Sequence, residues 1–330
     1  MLPPRYTWQM QPVSIIATVL NEHQDIASLV ESLLAQHPPA AEVVVVDGGS
    51  TDGTWEWLAS AQSSDARLVA IRDASCNLKR SAGPISRGRN VAIAAAKSAV
   101  IACADAGCAY APDWLANLTA PIVAGRAEYA LGGTCVDAND HTVWDVAAAP
   151  FFSVKLASHE PTKSCTARSM AFTKALWQRI SGFPETVFFG EDTLFDLAAR
   201  ARTSPAFVHN AKAMYHPHYT FRSACRQLAL YSVSDGQSRV RWPRLFRNAA
   251  RCLLEVLATL SLGWTLVPLF VVLALESWYA FHRDQQYLPQ FGPKALVARF
   301  AFSVAVPWVV AVNHLRGLFT PMPLPNRQNT

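Results

Sequence analysis

Hydrophobic and polar positions follow two alternating periods along the first 110 residues. Short, nearly continuous apolar runs predict β-strands, and apolar positions spaced three and four apart predict helices between them. The predicted strands are 13–18, 42–46, 67–71 and 99–104, and the predicted helices are 25–36, one from about Thr54, and 90–98. Strands that alternate with helices are typical of an α/β fold with a parallel sheet and right-handed crossovers.

The pattern changes near the C-terminus. Residues 256–275 form a 20-residue run without a charge, which as a helix would be about 30 Å long and match a hydrocarbon core. Trp278, Tyr279 and Arg283 follow as interfacial anchors would. A second, weaker run at 300–312, interrupted by Pro307, either returns the chain across the membrane or is re-entrant. The alternative is a pair of core helices in a large soluble protein.

The two ends of the chain also differ in charge. Charged residues are 16% and hydrophobic residues 51% of the sequence, which excludes a disordered chain. Residues 1–196 carry a net charge of −6 and residues 197–330 carry +11. The run at 256 is preceded by five arginines without an intervening acid: Arg239, Arg241, Arg244, Arg247 and Arg251. This flank is predicted to be cytoplasmic and to face anionic lipid rather than nucleic acid.

Three segments follow from this patterning. Residues 1–235 are predicted to be a catalytic α/β domain, 236–255 a basic interfacial segment, and 256–330 a membrane-associated region of about two helices. The seven cysteines are scattered, with no Cys-x-x-Cys pair, which indicates a reducing compartment and argues against a zinc site.

Candidate chemistry lies where predicted strands end. Asp47 follows a buried apolar run and opens the string DGGSTDGT, and Asp105 follows the fourth strand. Ligands of parallel sheets bind beyond the carboxyl ends of strands. The string is neither a Walker loop nor a Gly-x-Gly-x-x-Gly motif. The alternative is a plain strand-to-helix turn that Ser50 or Asp52 caps.

Several strings, in order, resemble the motifs of family 2 glycosyltransferases, which have the GT-A fold. They are ATVLNE at 17–22, VDGGSTDGT at 46–54, GRN at 88–90, DAG at 105–107 with PDWL at 112–115, and GFPE at 182–185 with GED at 190–192. The resemblance covers about residues 12–240, and it implies a Rossmann-like mixed sheet flanked by helices.

The resemblance implies a nucleotide-sugar site. Thr18, Glu22 and Asp47 would hold the base and ribose, with Ser50 and Asp52 in the same turn. Carboxylates can accept hydrogen bonds from an imide N–H and from ribose hydroxyls.

The same resemblance places Arg89 at the head of a helix, facing the diphosphate. The alternative is a surface arginine that caps the helix.

By resemblance Asp105 would hold Mg²⁺ or Mn²⁺ on the sugar diphosphate. The family's metal motif has a second aspartate, and Gly107 stands at that position here. One carboxylate with phosphate oxygens and water can still hold Mg²⁺, because this ion keeps several waters when bound.

The resemblance also implies that Asp192, with Glu191 beside it, would be the general base at the acceptor hydroxyl. The alternative is an ordinary helix N-terminus with acidic residues in its first turn.

Together these observations predict an inverting glycosyltransferase. It would move a sugar from a nucleotide-sugar, a UDP-sugar as first choice, to a hydroxyl of a saccharide or lipid-linked acceptor for cell-surface polysaccharide synthesis. Its catalytic domain would face the cytoplasm at the bacterial inner membrane. An inactive GT-A membrane scaffold and a nucleotidyltransferase are the alternatives.

Overall fold

The computed structural model describes residues 11–77, 79–136, 142–152, 155–156, 166–260 and 292–320. The chain forms two compact units that are interleaved in sequence. The first consists of Met1–Gly133, Lys163–Pro184 and Asp192–Ala213, and the second of Thr134–Thr162, Glu185–Glu191 and Met214–Thr330. The predicted segment boundaries at residues 235 and 255 stay a prediction.

A mixed sheet organises the first unit, to which most of its strand residues belong. The strands are β1 (Val13–Val19), β2 (Glu42–Asp47), β3 (Leu68–Arg72), β4 (Val100–Cys103), β5 (Cys108–Tyr110), β6 (Tyr129–Val136), β7 (Lys155–Leu156), β8 (Met170–Thr173) and β9 (Ala206–Tyr215). Their order is β3-β2-β1-β4-β8-β6-β9-β5, with β7 beside β6. Strands β1 to β4 are parallel, whereas β8 is antiparallel to β4 and β6. The predicted α/β class is confirmed.

Among the described residues, the first seven α-helices lie between strands and the last three follow strand β9. They are α1 (Ile26–Leu34), α2 (Thr54–Ser64), α3 (Pro84–Ala95), α4 (Trp114–Val123), α5 (Val143–Ala148), α6 (Lys174–Arg179), α7 (Glu191–Arg200), α8 (Phe221–Gln237), α9 (Trp242–Leu260) and α10 (Gly292–Phe319).

The strongest patterns of the sequence fold as predicted. Strand β2 is buried along its whole length, as expected of a parallel strand covered on both faces. Helix α1 buries Ile26, Leu29, Val30 and Leu33, which recur with helical spacing on one face. Both elements bring apolar side chains into the core and leave their ends to carry polar residues.

Helix α3 differs from the prediction at both ends. It begins at Pro84 rather than at Asn90, and it ends at Ala95. Proline suits the first helical position because its fixed φ is already helical. The N–H that it lacks would have no partner within the helix at that position. The expectation that Arg89 heads this helix is therefore wrong, because Arg89 lies in the second turn.

An aromatic cluster supports helix α7. Phe195 of α7 stacks on Phe183 with ring centroids 4.2 Å apart, and Phe172 of β8 lies 4.8 Å from Phe195. All three side chains are fully buried or nearly so. Burial of aromatic side chains is among the strongest stabilising contributions in a core, so the start of α7 has a firm base.

In the second unit, α8 and α10 cross at close range. A Cβ added at Gly236 would lie 2.1 Å from the carbonyl oxygen of His314, and one added at Gly317 would lie 2.1 Å from that of Val233. Phe302 of α10 contacts the rings of Trp144, Phe151 and Phe221. Small residues at the crossing let the two backbones meet.

Helix α10 replaces the interrupted second run predicted at 300–312. It is continuous over 28 residues with Pro307 inside it. Among the described residues it is the one helix long and apolar enough to cross a membrane, although 44% of its most apolar window is buried in the protein. A core helix has the same properties. The predicted span at 256–275 lies mostly outside the described residues, which stop at 260 and resume at 292.

Candidate active site

Polar loops gather at one edge of the sheet because β1, β2 and β4 are parallel neighbours. Val19 at the end of β1 pairs with Asp47 at the end of β2, and Ile16 pairs with Cys103, two residues before Asp105. The carboxyl ends of these strands therefore meet at the same edge, where ligands of such sheets bind. The sequence predicted this meeting of the loops.

Asp47 closes the turn that follows β2. Its buried carboxylate accepts from the backbone N–H groups of Gly49 at 3.2 Å and Ser50 at 3.1 Å, and from the Ser50 hydroxyl. Gly49 has φ +91°, and a Cβ at Gly48 would lie 2.5 Å from the carbonyl oxygen of Cys76. The turn therefore requires both glycines. Its contact with a base or ribose stays a prediction.

The loop after β1 is held against this turn by several hydrogen bonds. The backbone N–H groups of residues 21, 22 and 23 donate in succession to Ser50 Oγ at 2.8 Å, Thr54 Oγ1 at 2.9 Å and Asp52 Oδ2 at 3.0 Å. Bonds from the side chain and N–H of Thr54 and from the N–H of His23 lower the pKa of Asp52 to about 2. Ser50 and Asp52 thus organise the loops.

The pKa of Glu22 reflects the negative charges around it. Burial, followed by the charges of Asp25, Asp52 and Asp105, raises its pKa to about 7. Among the described residues, its half-buried carboxyl has no hydrogen-bond partner. A cation or a hydrogen-bond donor on a ligand would relieve this accumulated negative charge.

Arg89 pairs with Asp105 rather than facing open solvent. The buried guanidinium donates from Nη2 to Asp105 Oδ1 at 2.6 Å and lies over the ring of Phe183, 5.4 Å from its centroid. Helix α3 approaches β1 so closely that a Cβ at Gly88 would lie 2.2 Å from Thr18 Oγ1. The Gly-Arg-Asn string therefore sets the distance between α3 and the sheet and holds the lone carboxylate.

The turn after β4 explains why a glycine stands at position 107, where the family's metal motif has a second aspartate. This residue has φ +68°, in the left-handed region that glycine enters without cost. The N–H of Asp105 donates to the Tyr110 hydroxyl at 2.9 Å, and that hydroxyl donates to the carbonyl of Arg168 at 3.0 Å. Residue 107, where the family has its second carboxylate, is thus needed here for the backbone turn.

The carboxylates of this edge can hold a divalent cation only together with oxygen atoms of a bound ligand. Within the described residues no group of three His, Cys, Asp or Glu side chains could hold a metal. Arg89 binds one oxygen of Asp105, and the other can still coordinate an ion. Glu22 and Asp52 add negative charge nearby. Oxygen ligands with several waters or phosphate oxygens are the coordination that Mg²⁺ takes, so the residues present fit this ion with a bound diphosphate.

Glu191 and Asp192 lie where α7 begins. Gly190 before them has φ +77°, Glu191 is buried, and Asp192 is half-buried and accepts from the N–H of Thr193 at 2.6 Å. Asp192 thereby takes part in the start of the helix, as the alternative for these residues expects. Their placement near an acceptor stays a prediction.

Sequence reasoning missed two residues that build this edge. Arg72 ends β3 opposite Asp47, lies 3.7 Å from its carboxylate, and donates to the carbonyl of Ser50 at 3.1 Å. Asn90 exchanges two 2.9 Å hydrogen bonds with the backbone of Phe183 and so joins the GRN and GFPE motifs. The strand-end position of Arg72 was an available signal, whereas nothing local marks the partner of Asn90.

The family comparison matches the part of the chain that builds this edge. Residues 14–174 match the sequence model described as Glycosyl transferase family 2. The succinoglycan biosynthesis protein ExoU of Rhizobium meliloti (strain 1021) is 38% identical over 106 residues, 32% of this chain and 29% of that protein. The UDP-Glc:alpha-D-GlcNAc-diphosphoundecaprenol beta-1,3-glucosyltransferase WfaP of Escherichia coli is 35% identical over 96 residues, 29% of this chain and 35% of that protein. The matched segments thus span about a third of each relative.

A solved structure with a similar fold is that of the mannosyltransferase PcManGT from Pyrobaculum calidifontis in complex with GDP-Man and Mn²⁺. The match covers 92% of this chain and 87% of that one, with a TM-score of 0.55 and 19% identity. At this identity the likeness concerns the fold alone, and it agrees with the mixed sheet and flanking helices described above.

Proposed function

Because residues 14–174 belong to glycosyl transferase family 2 and have its GT-A fold, we propose that this chain is an inverting glycosyltransferase. It moves a sugar from a nucleotide-sugar to a hydroxyl group of an acceptor. The observation that carries the proposal is that the loops bearing Glu22, Asp52 and Asp105 follow the parallel neighbours β1, β2 and β4 at one edge of the sheet. That edge has the polarity that a nucleotide, its metal and its diphosphate require.

The donor occupies the loops after β1, β2 and β4. Thr18, Glu22 and the turn at Asp47 bind the base and ribose, and a UDP-sugar is the first choice because the E. coli relative is named for UDP-Glc. Asp105 would hold Mg²⁺ or Mn²⁺ together with the diphosphate. An ion held there would supply positive charge to offset that of the leaving diphosphate. Arg89 acts indirectly, by fixing the Asp105 carboxylate.

Asp192 is the general base in this proposal, and Glu191 supports it at the head of α7. The base removes the proton of the acceptor hydroxyl while that oxygen attacks the anomeric carbon opposite the diphosphate. An in-line attack of this kind inverts the anomeric configuration. The firm aromatic base of α7, at Phe195, supports a fixed position for the carboxylate.

The acceptor is proposed to be a lipid-linked saccharide at the cytoplasmic face of the bacterial inner membrane. The E. coli relative is named for a diphosphoundecaprenol acceptor and the Rhizobium relative for succinoglycan biosynthesis. Helix α9 supports this choice. It packs on Ala311 of α10 through Leu245 and Cys252, while a second face carries the exposed apolar side chains Phe246, Leu253 and Leu257.

Arginines beside that face strengthen the membrane assignment. Arg247 is exposed, whereas Arg244 is turned toward Asp235, with Nη1 to Oδ2 at 2.9 Å. An exposed apolar face with a basic flank is typical of helices that lie in a membrane interface. The basic segment at 236–255 is therefore proposed to rest on anionic lipid.

The proposed function is tested by replacing the base. Asp192→Asn is expected to lower turnover about 10²–10⁴-fold, since the amide cannot accept the proton. Donor affinity, measured by calorimetry with Mg²⁺ present, is expected to change less than threefold, because the donor loops lie elsewhere in sequence. The matched control is Asp113→Asn, an exposed aspartate before α4. Equal turnover of the two variants would contradict the assignment of the base.

The released product separates the alternatives. A glycosyltransferase releases a nucleoside diphosphate, and a nucleotidyltransferase releases pyrophosphate. Donor binding without any transfer would favour a scaffold, which is the alternative that Gly107 in place of a second carboxylate suggests.

A further inference from the structure

Helix α8 holds the loop that leads into Glu191 and Asp192. The hydroxyl of Ser234, a buried residue of α8, donates to the backbone carbonyl of Phe189. The ring of Phe189 meets that of Tyr231, one turn earlier on α8, edge-on with centroids 5.0 Å apart. One polar and one aromatic contact therefore fix the same residue of the loop.

Phe189 is separated from the acidic pair by a single glycine. Gly190 follows with φ +77°, and α7 begins at Glu191. Because each peptide unit is planar, holding the Phe189 carbonyl also fixes the direction in which Gly190 leaves it. In the part of the chain that the structure describes, nothing lies within 4 Å of a Cβ placed on Gly190. The contacts of Phe189 therefore support the turn from its other side.

The part of α8 that holds Phe189 is itself firmly placed. The next residue, Asp235, is buried and binds Arg244 of α9 at 2.9 Å. Gly236 then lies against the backbone of α10 at His314. Neighbouring residues of α8 thus contact the loop, α9 and α10, which makes this segment a fixed support for the loop.

We propose that Ser234 and Tyr231 are positioning residues that orient the Phe189–Asp192 segment for activation of the acceptor hydroxyl. The inference rests on the proposed function, because it takes Asp192 as the base. General-base catalysis depends on placement, and a displacement of about 1 Å can lower a rate about 10²-fold. The donor loops after β1, β2 and β4 make none of these contacts. Transfer should therefore suffer while donor binding does not.

Helix α8 supplies a matched control for the test. Ser232 is also buried, but its hydroxyl donates to Leu228 of the same helix at 2.8 Å. Ser234→Ala and Ser232→Ala remove the same group from the same helix, and the first change alone releases the loop. Ser234→Thr keeps the hydroxyl and serves as the conservative variant.

The experiment uses the full-length chain with a UDP-sugar, Mg²⁺ and a lipid-linked acceptor. For Ser234→Ala we expect a kcat about tenfold or more below wild type, a donor KM within twofold, and a larger share of donor hydrolysed by water. Ser232→Ala is expected to keep kcat within twofold of wild type, and Ser234→Thr to recover most of the loss. A purely structural role would lower the melting temperature without changing the ratio of transfer to hydrolysis.

Two results would overturn the inference. One is the same kcat for Ser234→Ala and Ser232→Ala, and the other is a change in donor KM alone. If Ser234→Ala does not fold, Phe189→Leu removes the ring contact with Tyr231 and keeps the carbonyl, and the same selective loss of transfer is expected. A wild-type chain that transfers no sugar would instead contradict the proposed function.

Discussion

At the scale of single residues, the ionisation of Glu22 depends on the fold. Its pKa of about 7 exceeds its ordinary value of 4.5 because the residue is partly buried among other carboxylates. Between these two pH values the folded chain holds a proton that the unfolded chain has lost. Folding is therefore favoured below pH 4.5, and this contribution is lost as the pH rises through 7.

Replacing this carboxyl gives a pH-dependent prediction. Glu22→Gln should raise the free energy of unfolding by about 1–2 kcal/mol at pH 8, a figure discounted for partial solvent exposure, and change it little at pH 4.5. Urea unfolding at the two pH values measures the difference. Glu31→Gln, on the exposed side of α1, is the control. A gain of the same size at both pH values would show that the charge of Glu22 is not responsible.

The pairing of Arg89 with Asp105 shows what a single residue contributes to a reduced metal motif. With Gly107 in the turn, Asp105 is the one carboxylate left in that motif, and Arg89 fixes one of its oxygens at 2.6 Å. A buried charge needs such a partner, because an unpaired one would be strongly destabilising. Arg89 thus pairs with the carboxylate of Asp105, and its predicted contact with a diphosphate stays a prediction.

At the scale of elements, the approach of α3 to β1 depends on the absence of one side chain. A Cβ on Gly88 would lie 2.2 Å from Oγ1 and 3.0 Å from Cβ of Thr18. Threonine is stiff at χ1, so it has little freedom to move aside. An alanine at this position would have to push α3 away from the sheet, and Arg89 would move with it.

A double-mutant cycle tests this contact. Gly88→Ala is expected to lower the free energy of unfolding by about 1–3 kcal/mol, the usual range for overpacking. Thr18→Ala removes the clashing oxygen, so the double variant should be more stable than Gly88→Ala alone. Thermal or urea unfolding of the three variants gives the coupling. Additive effects would mean that the two residues do not limit the distance between α3 and β1.

Elements that depend on local signals were predictable from the sequence. The valine run at 43–46 and the spacing in α1 fold as expected, because burial and periodicity are properties of neighbouring residues. The early start of α3 was missed although proline at a first helical position is a known signal. The continuity of α10 through Pro307 was missed because its packing partners are distant in sequence.

At the scale of the whole molecule, the hydrogen bonds of the site residues differ in how far apart the two partners lie in the sequence. The bonds of Asp47 to Gly49 and Ser50 join residues two or three apart, and turn chemistry predicts such contacts. The bonds of Asn90 to Phe183 and of Ser234 to Phe189 join residues 93 and 45 apart. Motifs indicate that such residues matter, but only the folded chain shows which side chains meet.

The split in charge along the chain bears on where the molecule works. The first 196 residues carry −6 and the remainder +11, and the exposed apolar residues of α9 lie in the basic part. A membrane with anionic lipid would attract that part and repel the other. The attraction is electrostatic and therefore weakens as salt rises.

Contact of α9 with lipid can be measured with a fluorescent label in the full-length chain reconstituted in vesicles. A label on Leu253→Cys should be quenched by shallow nitroxide lipids, because this side chain is exposed on the apolar face. A label on Ser63→Cys, exposed at the end of α2, should not be quenched. Quenching at 253 should be stronger in phosphatidylglycerol than in phosphatidylcholine, and Arg247→Glu should reduce that difference. Equal, weak quenching at both positions would mean that another part of the protein covers this face of α9.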